Sequence, residues 1–154
     1  MAELEGTADE ISPEAEGRVR RSFARQNAML AIGAVLEAIR TGETDILLAF
    51  DARLTQQHGF IHAGIIAAIT DTACGYAALS LMPEHTAVLT TEFKVNLLAP
   101  ARGDFLRAHG RVVRAGRKLM VCIGETYAHE GATRKQVALM TASMMVIEDS
   151  GLQD

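Results

Sequence analysis

Cysteine is scarce in this chain. Cys74 and Cys122 lie far apart, with no second Cys or His at metal-ligand spacing beside them. A disulfide scaffold and a zinc knuckle are therefore not expected, and a reducing, cytosolic setting fits. Basic tracts are missing too: Lys and Arg number 15 against 19 acidic residues, the net charge is -4, and no run of cations exceeds two. Without such a tract a nucleic-acid partner is not expected. The N-terminal stretch to Arg18 has no apolar core and carries six acids against one arginine. That is the wrong sign for a signal or transit peptide, so a cytoplasmic protein is expected. There is no glycine-rich dinucleotide fingerprint, no P-loop and no Gly-x-Ser-x-Gly elbow. Oxidoreductase, phosphoryl-transfer and serine-hydrolase readings have no motif to rest on.

What is present is an ordinary globular mix of 49% hydrophobic and 22% charged residues over 154 positions, the size of one domain with one core. Residues 1–17 are acidic, contain Gly6, Pro13 and Gly17, and show no apolar period, so a solvated, flexible leader is expected there. A single domain over 18–150 and a tail over 151–154 complete the division. Val19, Phe23, Met29, Ile32, Leu36 and Ile39 step by threes and fours, which predicts one amphipathic helix from Arg18 to a stop at Thr41-Gly42. Alternation from Asp45 to Leu54 predicts a strand, followed by a polar loop, Thr55 to Gly59.

The stretch Phe60 to Met82 approaches membrane-spanning length, but His62 and Asp71 lie inside it and Ala, Gly and Thr dominate. It reads as a buried helix from Ala63 to about Leu81, apolar nearly all the way round and closed by Pro83. Four more alternating runs follow, Ala87–Leu98, Asp104–Arg114, Lys118–His129 and Arg134–Ile147, separated by short turns that usually join antiparallel neighbours. A greasy helix needs cover on every side, and a curved antiparallel sheet wrapped around it supplies that cover, giving an α+β protein. The sheet's outer face and open edges predict a homodimer or a dimer of dimers.

Asp71 is the most informative residue, because a carboxylate mid-way along an apolar helix costs several kcal/mol to bury without partners. One reading has it capping a neighbouring loop. The other makes it a base or nucleophile in a dry cleft, where burial raises its pKa toward neutrality. Ala63 stands eight residues earlier, in the first helical turn, where unpaired N–H groups attract an oxyanion. Eight helical residues span about 12 Å, so one chain cannot bring both groups to one carbonyl carbon. A site built from them draws on two protomers.

The segment His62-Ala63-Gly64-Ile65-Ile66-Ala67-Ala68-Ile69-Thr70-Asp71 resembles the His-Gly-Gly motif and following helical acid of the hotdog-fold acyl-CoA thioesterases, phenylacetate-degradation type. The resemblance runs from Arg18 to Ile147 and includes Thr90 to Pro100. It implies a hotdog fold of five to six strands with an extra N-terminal helix, acyl-CoA as substrate, no cofactor or metal, and a homodimer or homotetramer. It also implies Asp71 as the catalytic carboxylate and the Ala63 N–H as the donor to the thioester carbonyl. Gln56 takes the place of an orienting amide, Thr90 that of an assisting Ser or Thr, and His62 and Gly64 shape the turn. Alanine replaces the first motif glycine; it keeps the N–H, but its methyl needs a compatible backbone angle and narrows the pocket.

The chemistry asks for few groups. A thioester carbonyl is activated and its thiolate leaves without a strong general acid, so one carboxylate and one oxyanion donor suffice. Other candidates have plainer readings. His58 and His62 are spaced i, i+4 but flank a loop and lack a third ligand. Arg114, Arg117 and Lys118 at a hairpin are read as solvated turn charges ahead of contacts to coenzyme A phosphates. Met140, Met144 and Met145 read as core filling, with some left as possible acyl-tunnel lining, and Gly110 and Gly124 as bulges. A non-catalytic acyl-CoA binding module on the same scaffold is the competing reading. A hydratase, the third, is disfavoured because Asp71 has no His beside it on the helix.

Overall fold

The computed structural model describes residues 10–148 and 151–152. Helix α1 spans Pro13–Ala24 and α2 Asn27–Ile32; strands β1 Val35–Arg40 and β2 Glu43–Ala49 follow, then the long helix α3, Ala63–Leu79. Strands β3 Ala87–Leu97, β4 Phe105–Ala115, β5 Leu119–Glu130 and β6 Thr133–Ile147 complete the chain. All pairings are antiparallel, in a six-stranded sheet ordered β1-β2-β4-β5-β6-β3.

The N-terminal third departs from the sequence expectation. Helix α1 starts at Pro13, inside the stretch read as leader, because Ser12 accepts the Ala15 N–H at 3.2 Å and Pro13 takes the first helical position. Residues 1–9 of that leader, and residues 149, 150, 153 and 154 at the other end, lie outside the described residues. The single helix expected to Arg40 is instead two helices and a strand. Gly33, at φ 73°, caps α2 in the left-handed region. Leu36 and Ile39 then lie on β1, both buried despite a spacing of three, because a β-bulge between Leu36 and Ala38 flips the alternation. A bulged strand thus imitated a helical stripe. Thr41-Gly42 is a two-residue hairpin, with Gly42 at φ 74° and its N–H donated to Ser80 Oγ at 2.8 Å.

A second departure concerns connectivity. Residues 98–104 do not join sheet neighbours: they carry the chain from β3, at one edge, across to β4 in the middle. The predicted strand to Leu54 also stops at Ala49, and Asp51 caps a short 3-10 turn, Ala52–Leu54.

Helix α3 lies on one face of the sheet, and the seat is specific. Gly110 and Gly124 oppose each other on β4 and β5 in unbulged register, so the reading of both as bulges is corrected. A Cβ on Gly110 would collide with the α3 backbone at Ala73 and Cys74, and one on Gly124 with Thr70 and Cys74 side chains. The glycines bring sheet and helix into close contact. Around them Thr44 Oγ1 donates to Ala73 O at 2.7 Å and Thr70 Oγ1 to Ile66 O at 2.7 Å. Thr70 and Thr126 Oγ1 are 2.6 Å apart, and since the Thr70 proton is engaged, Thr126 is the donor. Helix α1 meets α3 at Tyr76, with Phe23 edge-on to its ring at 5.8 Å and Ser22 Oγ 3.3 Å from its hydroxyl. The buried Arg18 guanidinium reaches past the end of α3 and donates to the carbonyls of Met82, Pro83 and Thr86. Cys74 and Cys122 are free and buried in this interface between helix and sheet.

Candidate active site

The start of α3 is fixed by its neighbours. The His62 N–H donates to Leu54 O at 2.9 Å and the Ile61 N–H to Ala101 O at 2.9 Å, which pins the helix entrance to the 3-10 turn and to the β3–β4 crossover. His62 is the N-cap: its Nδ1 accepts the Gly64 N–H at 2.9 Å, placing the ring proton on Nε2. The Ile65 and Ile66 N–H groups both donate to His62 O. Of the first four amides of α3, that of Ala63 alone has no partner among the described residues. Ala63 sits at the first helical position, exposed and with negative φ, so its methyl needs no strained backbone angle.

Ala63 borders an open cavity of about 400 Å³. Its walls are mainly apolar, from Phe60 and Ile66 on one side and Leu97, Leu98 and Pro100 on the other, with Gln56 supplying a polar group. Gln56 Oε1 accepts the His58 N–H, and the loop is closed by the Gln56 N–H donating to Phe60 O and the Gly59 N–H to Gln56 O. The side-chain NH2 of Gln56 is left as its donor. Sequence reasoning missed the wall from Leu97 to Ala101; the only signal was the break in alternation at Leu97-Leu98 before Pro100.

Asp71 lies two turns further along α3 and is absent from this cavity's walls. It is half-buried, and burial raises its pKa above the ordinary carboxylate value, while a hydrogen bond from Thr90 works against the rise. Thr90 Oγ1, on β3, donates to Asp71 Oδ1 at 2.9 Å. The two groups meant to act on one carbonyl thus occupy different places in a single chain.

The other candidates disperse. Arg114, Arg117 and Lys118 surround the β4–β5 turn, at the end of β4 remote from Ala101 and the cavity. Met140 and Met144 are fully buried core, Met145 is exposed, and none of the three borders the cavity. His58 lies in the loop beside Gln56 with its ring exposed.

The profile of the thioesterase superfamily matches residues 58–134, which include all of α3 and Thr90 and begin two residues after Gln56. The chain belongs to the thioesterase superfamily. A thioesterase family protein from Silicibacter pomeroyi superposes with a TM-score of 0.86 at 45% identity, covering 87% of this chain and 98% of that one. An esterase-named protein of Halobacterium salinarum is 34% identical over 102 residues, 62% of this chain and 67% of that one. The PaaI protein of the Escherichia coli phenylacetic acid degradation operon shares the fold, with a TM-score of 0.80 at 22% identity, over 90% of this chain and 96% of that one. This thioesterase therefore has the hotdog fold of PaaI type, and proteins of this class are typically oligomers. No helix among the described residues is long and apolar enough to cross a membrane.

Proposed function

We propose that this thioesterase hydrolyses acyl-CoA esters to the free acid and coenzyme A at sites shared between two protomers. The observation that carries this reading is the Ala63 amide at the positive end of α3, without a partner among the described residues and opening into an apolar cavity with Gln56 beside it. An acyl carbonyl bound there has its oxygen against the helix N-terminus, where charge developing in the tetrahedral intermediate is stabilised. Gln56 orients the carbonyl or the attacking water. Asp71 of the other protomer supplies the base or the nucleophile: its raised pKa increases its basicity and Thr90 fixes its orientation. As a base it takes a proton from water as the water oxygen bonds to the carbonyl carbon, and the collapsing intermediate expels the thiolate.

The test is thiol release from a panel of aryl, short-chain and medium-chain acyl-CoA esters, comparing wild type with Asp71→Asn at matched fold and oligomeric state. Turnover by wild type and near-loss in the variant supports the proposal. Binding of every ester with no turnover of any overturns it in favour of an acyl-CoA binding module. Trapping an acyl group on Asp71 identifies a nucleophile, and so does single-turnover hydrolysis in oxygen-18 water that leaves the product unlabelled and Asp71 labelled, the result of water opening the anhydride at the Asp71 carbonyl; a base gives labelled product with no acyl group on Asp71.

A further inference from the structure

Strand β3 carries one residue more than its neighbour has places for. On β6 the adjacent Ser143 and Met144 stand opposite Glu92 and Thr90, and Thr91 is the extra residue of a β-bulge between them. The bulge changes which residues face α3. After it, Phe93 and Val95 oppose the buried Ala142 and Met140 and share the helix side; before it, that side passes to Thr90, opposite the buried Met144. Thr90 Oγ1 lies 3.4 Å from Met144 Sδ and donates to Asp71. Straight pairing of the same sequence would set Thr91 against Met144 and turn Thr90 toward the exposed Met145, away from the helix.

The apolar pattern does not choose between the two pairings, since they exchange Val88 for Leu89 on the helix side and both are apolar. Specific bonds choose. At the start of the strand the Arg18 guanidinium donates to Thr86 O and Oγ1, and Thr86 Oγ1 donates in turn to Pro83 O at 2.7 Å, which fixes where β3 begins. Past its other end the Leu98 N–H donates to Val137 O at 2.8 Å. Between these anchors one residue is in excess. Thr91 Oγ1 donates to Ser143 O at 3.1 Å, across the doubled step, and so ties the excess residue to β6.

We propose that Thr91 is a positioning residue whose hydroxyl holds the bulge of β3 and thereby turns Thr90 to Asp71. Thr91 borders no wall of the cavity and acts through Thr90. The role deepens the proposed function, on which its consequence for turnover rests. Without that hydroxyl the bulge loses its side-chain anchor, and straight pairing carries position 91 to the place opposite Met144. A valine there offers Asp71 no donor. The carboxyl then keeps its burial and loses the bond that favours its charged form, so it holds its proton more tightly. The titratable groups whose charge reaches Asp71 are Cys74 on its own helix and Cys122 on β5, and burial keeps both thiols protonated through the acidic range. Glu92 and Lys94 alternate with Phe93 and lie on the far face of the sheet. A displaced titration of Asp71 therefore reports Thr90.

The test titrates the Asp71 carboxyl carbon by NMR in the ligand-free protein at matched oligomeric state, the resonance being the one that Asp71→Asn removes. Thr91→Val should make the carboxyl hold its proton about tenfold more tightly, the size of one hydrogen bond to a charged group. The acidic limb of the pH–rate profile should rise by the same factor. Thr91→Ser keeps the hydroxyl and should titrate as wild type does. Thr90→Val combined with Thr91→Val should match Thr90→Val alone, because one residue acts only through the other. Thr91→Ala makes the same test where the valine variant does not fold. A titration unmoved by loss of the Thr91 hydroxyl, a serine variant displaced as far as the valine one, or a double variant displaced beyond Thr90→Val overturns the assignment. Titrations displaced as stated with no ester hydrolysed would leave Thr91 its role and remove the proposed function. Hydrolysis that depends on Asp71, with a titration indifferent to Thr91, would do the reverse.

Discussion

Thr90 Oγ1 donates to Asp71 Oδ1 at 2.9 Å and so ties the open edge of the sheet to the one charged residue of the central helix. Burial and this bond pull the carboxyl in opposite directions, burial the more strongly, and the balance leaves its pKa raised. A reaction using Asp71 as an anion therefore loses rate, as pH falls, at a higher pH than an ordinary aspartate would dictate.

Replacing Thr90 by valine removes the bond that favours the anion. The acidic limb of the pH–rate profile should move further up in pH, with kcat recovering on the alkaline side. An unmoved limb would separate Thr90 from the working carboxylate.

Asp71→Asn should lower turnover about a hundred- to ten-thousand-fold and at the same time raise the melting temperature at neutral pH. The sign follows from linkage: with a folded pKa above the unfolded one, the folded chain binds the extra proton and loses stability as pH rises through that window. The neutral amide has no such loss. Calorimetry of both proteins at pH 4 and pH 7.5 checks it, the gain being larger at pH 7.5.

Ala63→Pro isolates the backbone donor. Proline fits the first helical position, and the extended His62 (φ -62°, ψ 139°) is a compatible preceding residue. The fold should survive while kcat falls about 10²–10³-fold. Ala63→Gly, which keeps the N–H, should retain activity.

Gly124→Ala places a methyl against Thr70 and Cys74. Overpacking of this kind should cost about 1–3 kcal/mol in urea unfolding and lower activity by displacing α3. Gly131→Ala, at a turn with nothing near its Cβ but φ 54°, tests backbone strain without that collision.

The sequence conveyed the elements long enough for their pattern to survive a local interruption. Strands β3 to β6 announce themselves because each runs 11 to 15 residues, so alternation shows on either side of a bulge, and α3 because it is apolar on nearly every face. The region from Ala34 to Arg40 did not, since the β1 bulge buries Leu36 and Ile39 at a spacing that a helix also uses. Strand order was hidden for a different reason: a short connection can join neighbours or cross a sheet, and residues 98–104 cross. Asp71 stood out as a lone acid among apolar residues. The cavity wall at Leu97 and Leu98 did not, because its partners at Phe60 and Ile66 are distant in sequence and meet it only through that crossover. Gly110 and Gly124 looked like interruptions of strands; only the helix pressed against them shows what their missing side chains provide.

A thioester is open to attack by any thiolate within reach, and a cysteine of the protein that attacked its carbonyl would take the acyl group and expel the substrate's thiolate. Cys74 and Cys122 lie sealed between α3 and the sheet, and burial pushes both thiols well up, that of Cys122 to about 12. Neither forms a thiolate at working pH, so the protein's own cysteines do not compete with water for the acyl group.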